Sequence, residues 1–248
     1  MKTLLYAAAL ALSLCSPTCT AVVAAPAGLV DYESRTVEGW TLLIRKDLLE
    51  TEPQLTDRAI ELLKIQLQEV LRVVPKTAVT ELQKVRLYFC PEYPGIGPRA
   101  EYHPSGGWLK SNGRDPEMAK GIEFTNISIF EQEVSRMPNF ALHELAHAMH
   151  DRVLRLGFDN PEIREAFERA KASGSYDKVE RRFGKGRENA FEKAYAMTTP
   201  QEYFAESTEA CFSTNDFFPF NREQLKQHDP EMLILVQTLW GITPDAAQ

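Results

Sequence analysis

Beyond its first two dozen residues the chain has no long apolar run, no internal repeat and no low-complexity tract. Those absences leave no later stretch of about 20 apolar residues able to span a bilayer, no solenoid and no compositional sign of disorder. Histidine is scarce, at five in 248 residues, so any two at a functional spacing carry weight. Cysteine is scarce too, and Cys15 and Cys19 lie near the start. The other two, Cys90 and Cys211, lack metal-binding spacing. They leave two readings open, a single disulfide or two buried thiols. An excess of positive charge is also missing. The formal net charge is −7, and a surface of that sign repels phosphate backbones, which argues against a nucleic-acid partner. The locally basic stretch Lys178 to Lys193 contains Glu180, Glu188 and Glu192 and reads as a solvated helical face of mixed charge.

At the start, Lys2 precedes an apolar run from Leu4 to Leu14, and small residues follow. This is the pattern of an export signal over 1–27, with cleavage after Ala25 or Ala27. The run is too short to cross a bilayer as a helix. Leu14, just before Cys15, is larger than lipid-attachment sites accept. The expectation is a secreted, periplasmic or extracellular protein with no stable membrane anchor, in which 28–248 form a single domain.

Within that domain, Gly39 to Leu49 reads as a strand running into a turn, and Leu55 to Val74 carries apolar residues at helical spacing up to Pro75. Lys84 to Cys90 alternates as a strand does. Pro91 to Gly121 is rich in glycine and proline and reads as a long loop with one short edge strand around Tyr102 to Leu109. Gly121 to Phe130 alternates again. From Pro138 the periodicity is helical: Leu142 to Leu156, Pro161 to Ala172, Thr199 to about Phe212, and Pro230 to Trp240. Strands first and helices after, without regular alternation, predict an α+β fold with a small mixed sheet in the N-terminal half and a helical C-terminal half.

The densest chemistry lies in Asn139 to His150 (NFALHELAHAMH). His143 and His147 are four apart, so on a helix both rings share one face, one turn apart, where they can reach a single ion. Glu144 points about 100° away round the axis, so it is placed to act on a water beside the ion rather than to bind the ion. The competing reading is a helix with two core histidines and a surface glutamate. His150 is a further turn along, too far to share the ion with His143, and reads as a surface or supporting residue.

A catalytic ion of this kind needs a third protein ligand and an open position. Glu202, Glu206 and Glu209 form one stripe on the Thr199 to Phe212 helix. Glu202 can face the ion, and Glu206, one turn later, can accept the far N–H of a ligand histidine and so fix its orientation. Two alternatives stand beside this. Thr199-x-x-Glu202 is also a capping box, and the stripe is also what the wet face of an amphipathic helix looks like.

His143-Glu-Leu-Ala-His147, followed by Tyr195-x6-Glu202-Tyr-Phe-Ala-Glu206, resembles the gluzincin zinc metallopeptidases, most closely the catalytic domain of the anthrax lethal factor group. The resemblance covers roughly Leu82 to Phe212 in outline, with only those two motifs specific. It implies a zincin-like fold and one Zn2+ held by His143, His147 and Glu202. It also implies Glu144 as general base, Tyr195 as the partner of the oxyanion and Glu206 behind the ligands. Without it, Tyr195 reads slightly better as a core aromatic. The third histidine of the metzincin pattern is absent, with Val153 in its place. The exopeptidase pattern GxMEN is absent too, which favours an endopeptidase. The strand from Gly121 to Phe130 is the expected edge for a polypeptide substrate bound in extended form. Two other functions share this pattern: a zincin-fold binding module without turnover, and a zinc hydrolase of a non-peptide amide. His103 reads as surface decoration near the cleft.

Overall fold

The computed structural model describes residues 31–243; the expected export signal, 1–27, and Cys15 lie outside the described residues. The chain opens with a hairpin, β1 (Tyr32–Val37) and β2 (Trp40–Arg45). It turns on Glu38 and Gly39, both at positive φ (50° and 92°), the two-residue geometry that matches strand twist. Trp40, Leu42 and Ile44 alternate into the core, as period two demands. Two short helices and a long one follow in the order α1 (Lys46–Thr51), α2 (Pro53–Val73) and α3 (Lys76–Leu82). The buried face of α2 includes Ala59, Leu63, Gln66, Leu67 and Val70, spaced by three and four as one helical face requires.

Next come β3 (Leu87–Phe89), β4 (Ala100–Tyr102), α4 (Gly106–Ser111) and β5 (Ile122–Phe124). The five strands form one sheet in the order β1-β2-β3-β5-β4, with β2–β3 and β3–β5 parallel and the outer pairs antiparallel. Two expectations are corrected here. The edge strand is Ala100–Tyr102 rather than Tyr102 to Leu109, because Ser105 caps a helix at Trp108. The expected strand from Gly121 to Phe130 stops at Phe124 and gives way to a tight helical turn at Ile127–Ile129. Being paired on both sides, β5 has no free edge; that belongs to β4.

The rest is mostly helical: α5 (Phe130–Arg136), α6 (Phe140–Arg152), α7 (Pro161–Ser173), then the hairpin β6 (Val179–Arg181) and β7 (Ala190–Glu192). The Lys178 to Lys193 stretch is therefore a hairpin and not the mixed-charge helix its composition suggested. Its strands of three residues are too short to show a period. A tight turn at Tyr195–Met197 leads into α8 (Pro200–Phe212), α9 (Arg222–His228) and α10 (Pro230–Leu239). The architecture is α+β with the small mixed sheet in the N-terminal half. One buried cluster joins β2, α2, α6 and α8 through Ile44, Leu67, Leu142 and Phe204. Cys90 and Cys211 are both buried free thiols, which decides between the two readings the sequence left open.

Candidate metal centre

Helix α6 is held at its N-terminus. The Asn139 carbonyl caps it by accepting from the Leu142 N–H, and the Asn139 amide donates to the Gln66 backbone carbonyl of α2. The Gln66 side chain in turn accepts the Ala141 N–H at 2.9 Å. Every residue from Phe140 to His150 is buried. Helix α8 lies against α6 and starts at Thr199, whose hydroxyl accepts the Glu202 N–H at 3.2 Å. Half of the capping box is thus present. The Glu202 carboxylate does not return to the cap; it faces the two histidines.

Three side-chain atoms meet there. His143 Nε2 lies 3.1 Å from Glu202 Oε2, His147 Nε2 lies 3.4 Å from the same oxygen, and the two Nε2 atoms are 3.2 Å apart. An ion bound tetrahedrally at about 2.0–2.2 Å sets its ligands about 3.3–3.6 Å from one another. The trio matches that spacing closely. Its chemistry matches as well. His143 Nδ1 is 2.8 Å from Glu209 Oε2, so the ring donates its Nδ1–H there and turns the Nε2 lone pair towards Glu202 and His147. Lone pairs converging on one point call for a cation, and His143, His147 and Glu202 form a group able to hold one. The same close contacts also favour protons on the rings. Burial works against charge on His143, yet Glu209 and Glu202 outweigh it and hold its pKa well above the ordinary value. Burial alone would raise the Glu202 carboxyl, but hydrogen bonds from His143 and His147 hold it well below the usual carboxylate range.

The supporting carboxylate differs from the expected one. Glu206, expected to accept the histidine N–H, stays 3.8 Å from His143 Nδ1, and its Oε2 accepts from the Asn215 amide at 2.9 Å. Glu209, one turn further on, makes the close contact. Residues 202 and 209 differ by almost two full turns, so both lie on the face turned to α6. Burial, with Asp216 and Glu209 nearby, pushes the Glu206 carboxyl well up. Burial lifts Glu209 to about 7.

Glu144 stands beside the trio and outside it. Its Oε2 accepts the Tyr102 backbone N–H at 2.7 Å, and the Tyr102 hydroxyl donates to Asp151 on the same helix at 2.6 Å. Strand β4 is therefore fastened along α6. Its ladder to β5 runs through Arg99 and His103 and, by the alternation of antiparallel pairing, Glu101. Ala100 N–H, Ala100 C=O and Tyr102 C=O consequently face the other way, on the free edge. Pro98 to Tyr102 form one wall of a cleft whose floor includes His143, Glu144 and His147 and whose far side carries Tyr195 and Glu202. The Tyr195 hydroxyl has no hydrogen-bond partner among the described residues. Burial and the charge of Glu202 raise its pKa to about 12, so it stays a proton donor throughout the neutral range.

Two histidines sit elsewhere than expected. His103 is buried, 2.8 Å from Glu123. Glu101 and Glu123 face each other across β4 and β5, a like-charge pair that would repel, and Arg114 bridges them at 2.5 and 3.0 Å. Glu101, His103 and Glu123 also have the spacing of a metal group, but the guanidinium already supplies the cation there. His150 is fully buried, boxed by Phe158 and Phe204 at ring distances of 5.1 and 5.3 Å, and neither ring nitrogen has a partner. No hydrogen bond joins it to the trio. Only tertiary packing of α6 against these rings reveals this.

Burial, with the charge of His147, lowers the His150 pKa to about 4. A histidine depressed in the fold gives stability that is complete above its unfolded pKa of about 6.5 and is lost as pH falls through the folded value. Between about pH 6.5 and 4 that loss amounts to about 2–3 kcal/mol. His150→Leu removes it. In chelator, thermal melts of the variant should fall less steeply from pH 7 to pH 4 than those of the wild type; parallel curves would show that His150 is not the acid-labile group.

No family model, curated protein or solved structure matches the chain. The gluzincin resemblance therefore rests on the two motifs alone.

Proposed function

We propose that the chain is an exported, zinc-dependent peptidase of gluzincin type and zincin-like fold, acting as an endopeptidase on polypeptide held in extended form. The observation that carries this reading is the meeting of His143, His147 and Glu202 within 3.4 Å, with Glu144 adjacent in a cleft bordered by a free strand edge. Two nitrogens and one carboxylate oxygen are a donor set for zinc. When bound, zinc supplies Lewis acidity that makes a water more acidic and a carbonyl more electrophilic.

The chain's own residues carry the remaining steps. The extended substrate pairs with Ala100 N–H and C=O on the β4 edge, which lays the scissile carbonyl across the floor of the cleft. The Tyr102 N–H fixes one oxygen of Glu144 and leaves the other free to take the proton of the attacking water. Glu144 then delivers that proton to the leaving amine. The Tyr195 hydroxyl donates to the oxyanion. Glu209 keeps His143 in the tautomer that offers Nε2.

The test is a proteome-derived peptide library digested with the protein and read by mass spectrometry, with and without chelator. The expected result is a set of new termini that disappears on chelation. Intact peptides at full metal content would favour the two rivals, a binding module or a hydrolase of another amide.

A further inference from the structure

The metal cleft opens past Glu144 into a recess of about 280 Å³ that shares Arg99, Ala100, His143, Glu144 and Tyr195 with it. Met137, Phe140 and Phe217 give the recess an apolar lining. Its arginines are already matched, and its carboxylates Glu206 and Glu144 each hold a hydrogen bond, from the Asn215 amide and the Tyr102 N–H. Arg136 pairs with Glu133 and Asp216, Arg181 with Glu192 and Asp216, and Arg99 with Glu101. A carboxylate entering here would lose its water and find no free cation.

Two polar groups on the wall are buried without a hydrogen bond, the Arg181 Nε, which keeps its ion pair with Asp216, and the Asn126 amide. Asn126, just past the end of β5, is only 2% exposed, and its Oδ1 is buried with no hydrogen-bond partner. Its whole side-chain amide makes no hydrogen bond among the described residues. A buried amide left in this state is unfavourable, and a ligand group that pairs with it recovers the loss. Whichever way the amide is turned, it offers both a donor and an acceptor. The group that answers both at once is another amide.

We infer that this recess is a side-chain subsite for a neutral residue ending in an amide, glutamine above all, and that Asn126 is its specificity-determining residue. The methylene stem of the substrate residue lies against Met137, Phe140 and Phe217, and its terminal amide pairs with Asn126. The inference rests on the peptidase reading of the adjoining cleft and names its substrate class.

The experiment compares wild type, Asn126→Leu and Asn126→Asp on a peptide library with both positions flanking the cleaved bond randomised. In parallel, binding of labelled peptides differing only by Gln, Leu, Lys or Glu is measured on the zinc-loaded Glu144→Gln protein, with and without Asn126→Leu. The wild type should favour glutamine or asparagine at one flanking position by about tenfold or more over Leu, Lys and Glu. Asn126→Leu should lose that preference and favour Leu and Met instead. Asn126→Asp keeps the size of the side chain and should admit Lys, so it carries the test where the leucine variant does not fold. Cleavage without any amide preference, or a preference that survives Asn126→Leu, overturns the inference and leaves the peptidase reading standing. Amide-selective binding that depends on Asn126, with no cleavage of any peptide, keeps the inference and overturns the peptidase reading.

Discussion

Replacing Glu144 by glutamine lowers peptide hydrolysis by about 10²–10⁴-fold or more and leaves metal content unchanged. Both halves of this expectation follow from where the carboxylate sits. Glu144 lies outside the converging trio, so its replacement takes no ligand from the ion. Glutamine keeps an oxygen that can accept the Tyr102 N–H, the contact Glu144 Oε2 makes at 2.7 Å, so the fastening of β4 to α6 survives. What is lost is the one property glutamine cannot imitate, the ability to take up a proton. The measurement is kcat/KM on any peptide found to be cleaved, with metal counted by mass spectrometry on the same sample. Unchanged turnover would remove Glu144 as the base. Loss of metal would make it a ligand and demand a different geometry. The variant is also a sparing probe of the centre, because it keeps the volume of the cleft floor and removes only the charge of the Glu144 carboxylate.

The sequence made the HELAH helix legible because its information is local. A four-residue spacing on a helix fixes which face two rings share, whatever the helix packs against. The partner carboxylates were legible only as a stripe. Which of Glu206 and Glu209 reaches His143 depends on the height at which α8 crosses α6, a property of packing between elements 59 to 66 residues apart. The same holds for the edge strand. Alternation suggested Gly121 to Phe130, but β5 is enclosed by β3 and β4, and strand order is a tertiary fact that no single segment encodes. The β1–β2 turn did leave a signal, since Glu38-Gly39 between two strand-like runs is a two-residue hairpin turn. His103 left none. Its burial beside Glu123 follows from Arg114 joining two acidic strands, and Arg114 is 11 positions away from His103 in a loop without periodicity.

Stripping the metal should lower the thermal midpoint by about 8–16 °C. An ion present at a thousandfold excess over its dissociation constant stabilises the fold by about 4 kcal/mol, and a domain of this size gains about 2–4 °C per kcal/mol. The surroundings argue that the loss is felt by the fold itself. Glu202, Glu206 and Glu209 lie within 3.8 Å of His143, and burial pushes the Glu206 and Glu209 carboxyls upwards, an arrangement that a bound cation relieves. Without the ion, three electron-rich atoms remain within 3.4 Å of one another, sharing only what protons they can hold. Scanning fluorimetry in chelator, followed by addition of zinc or magnesium, measures the effect. Zinc should restore the midpoint and magnesium should not, because imidazole nitrogens suit the former and oxygen ligands the latter. An unchanged midpoint after verified metal removal would count against a built metal centre. His147→Ala tells the two candidate clusters apart. If Glu101, His103 and Glu123 held the stabilising ion, the variant would still respond to zinc. Arg114 already bridges Glu101 and Glu123, so a melting curve indifferent to zinc is the expected result, and it assigns the whole response to the HELAH helix and Glu202.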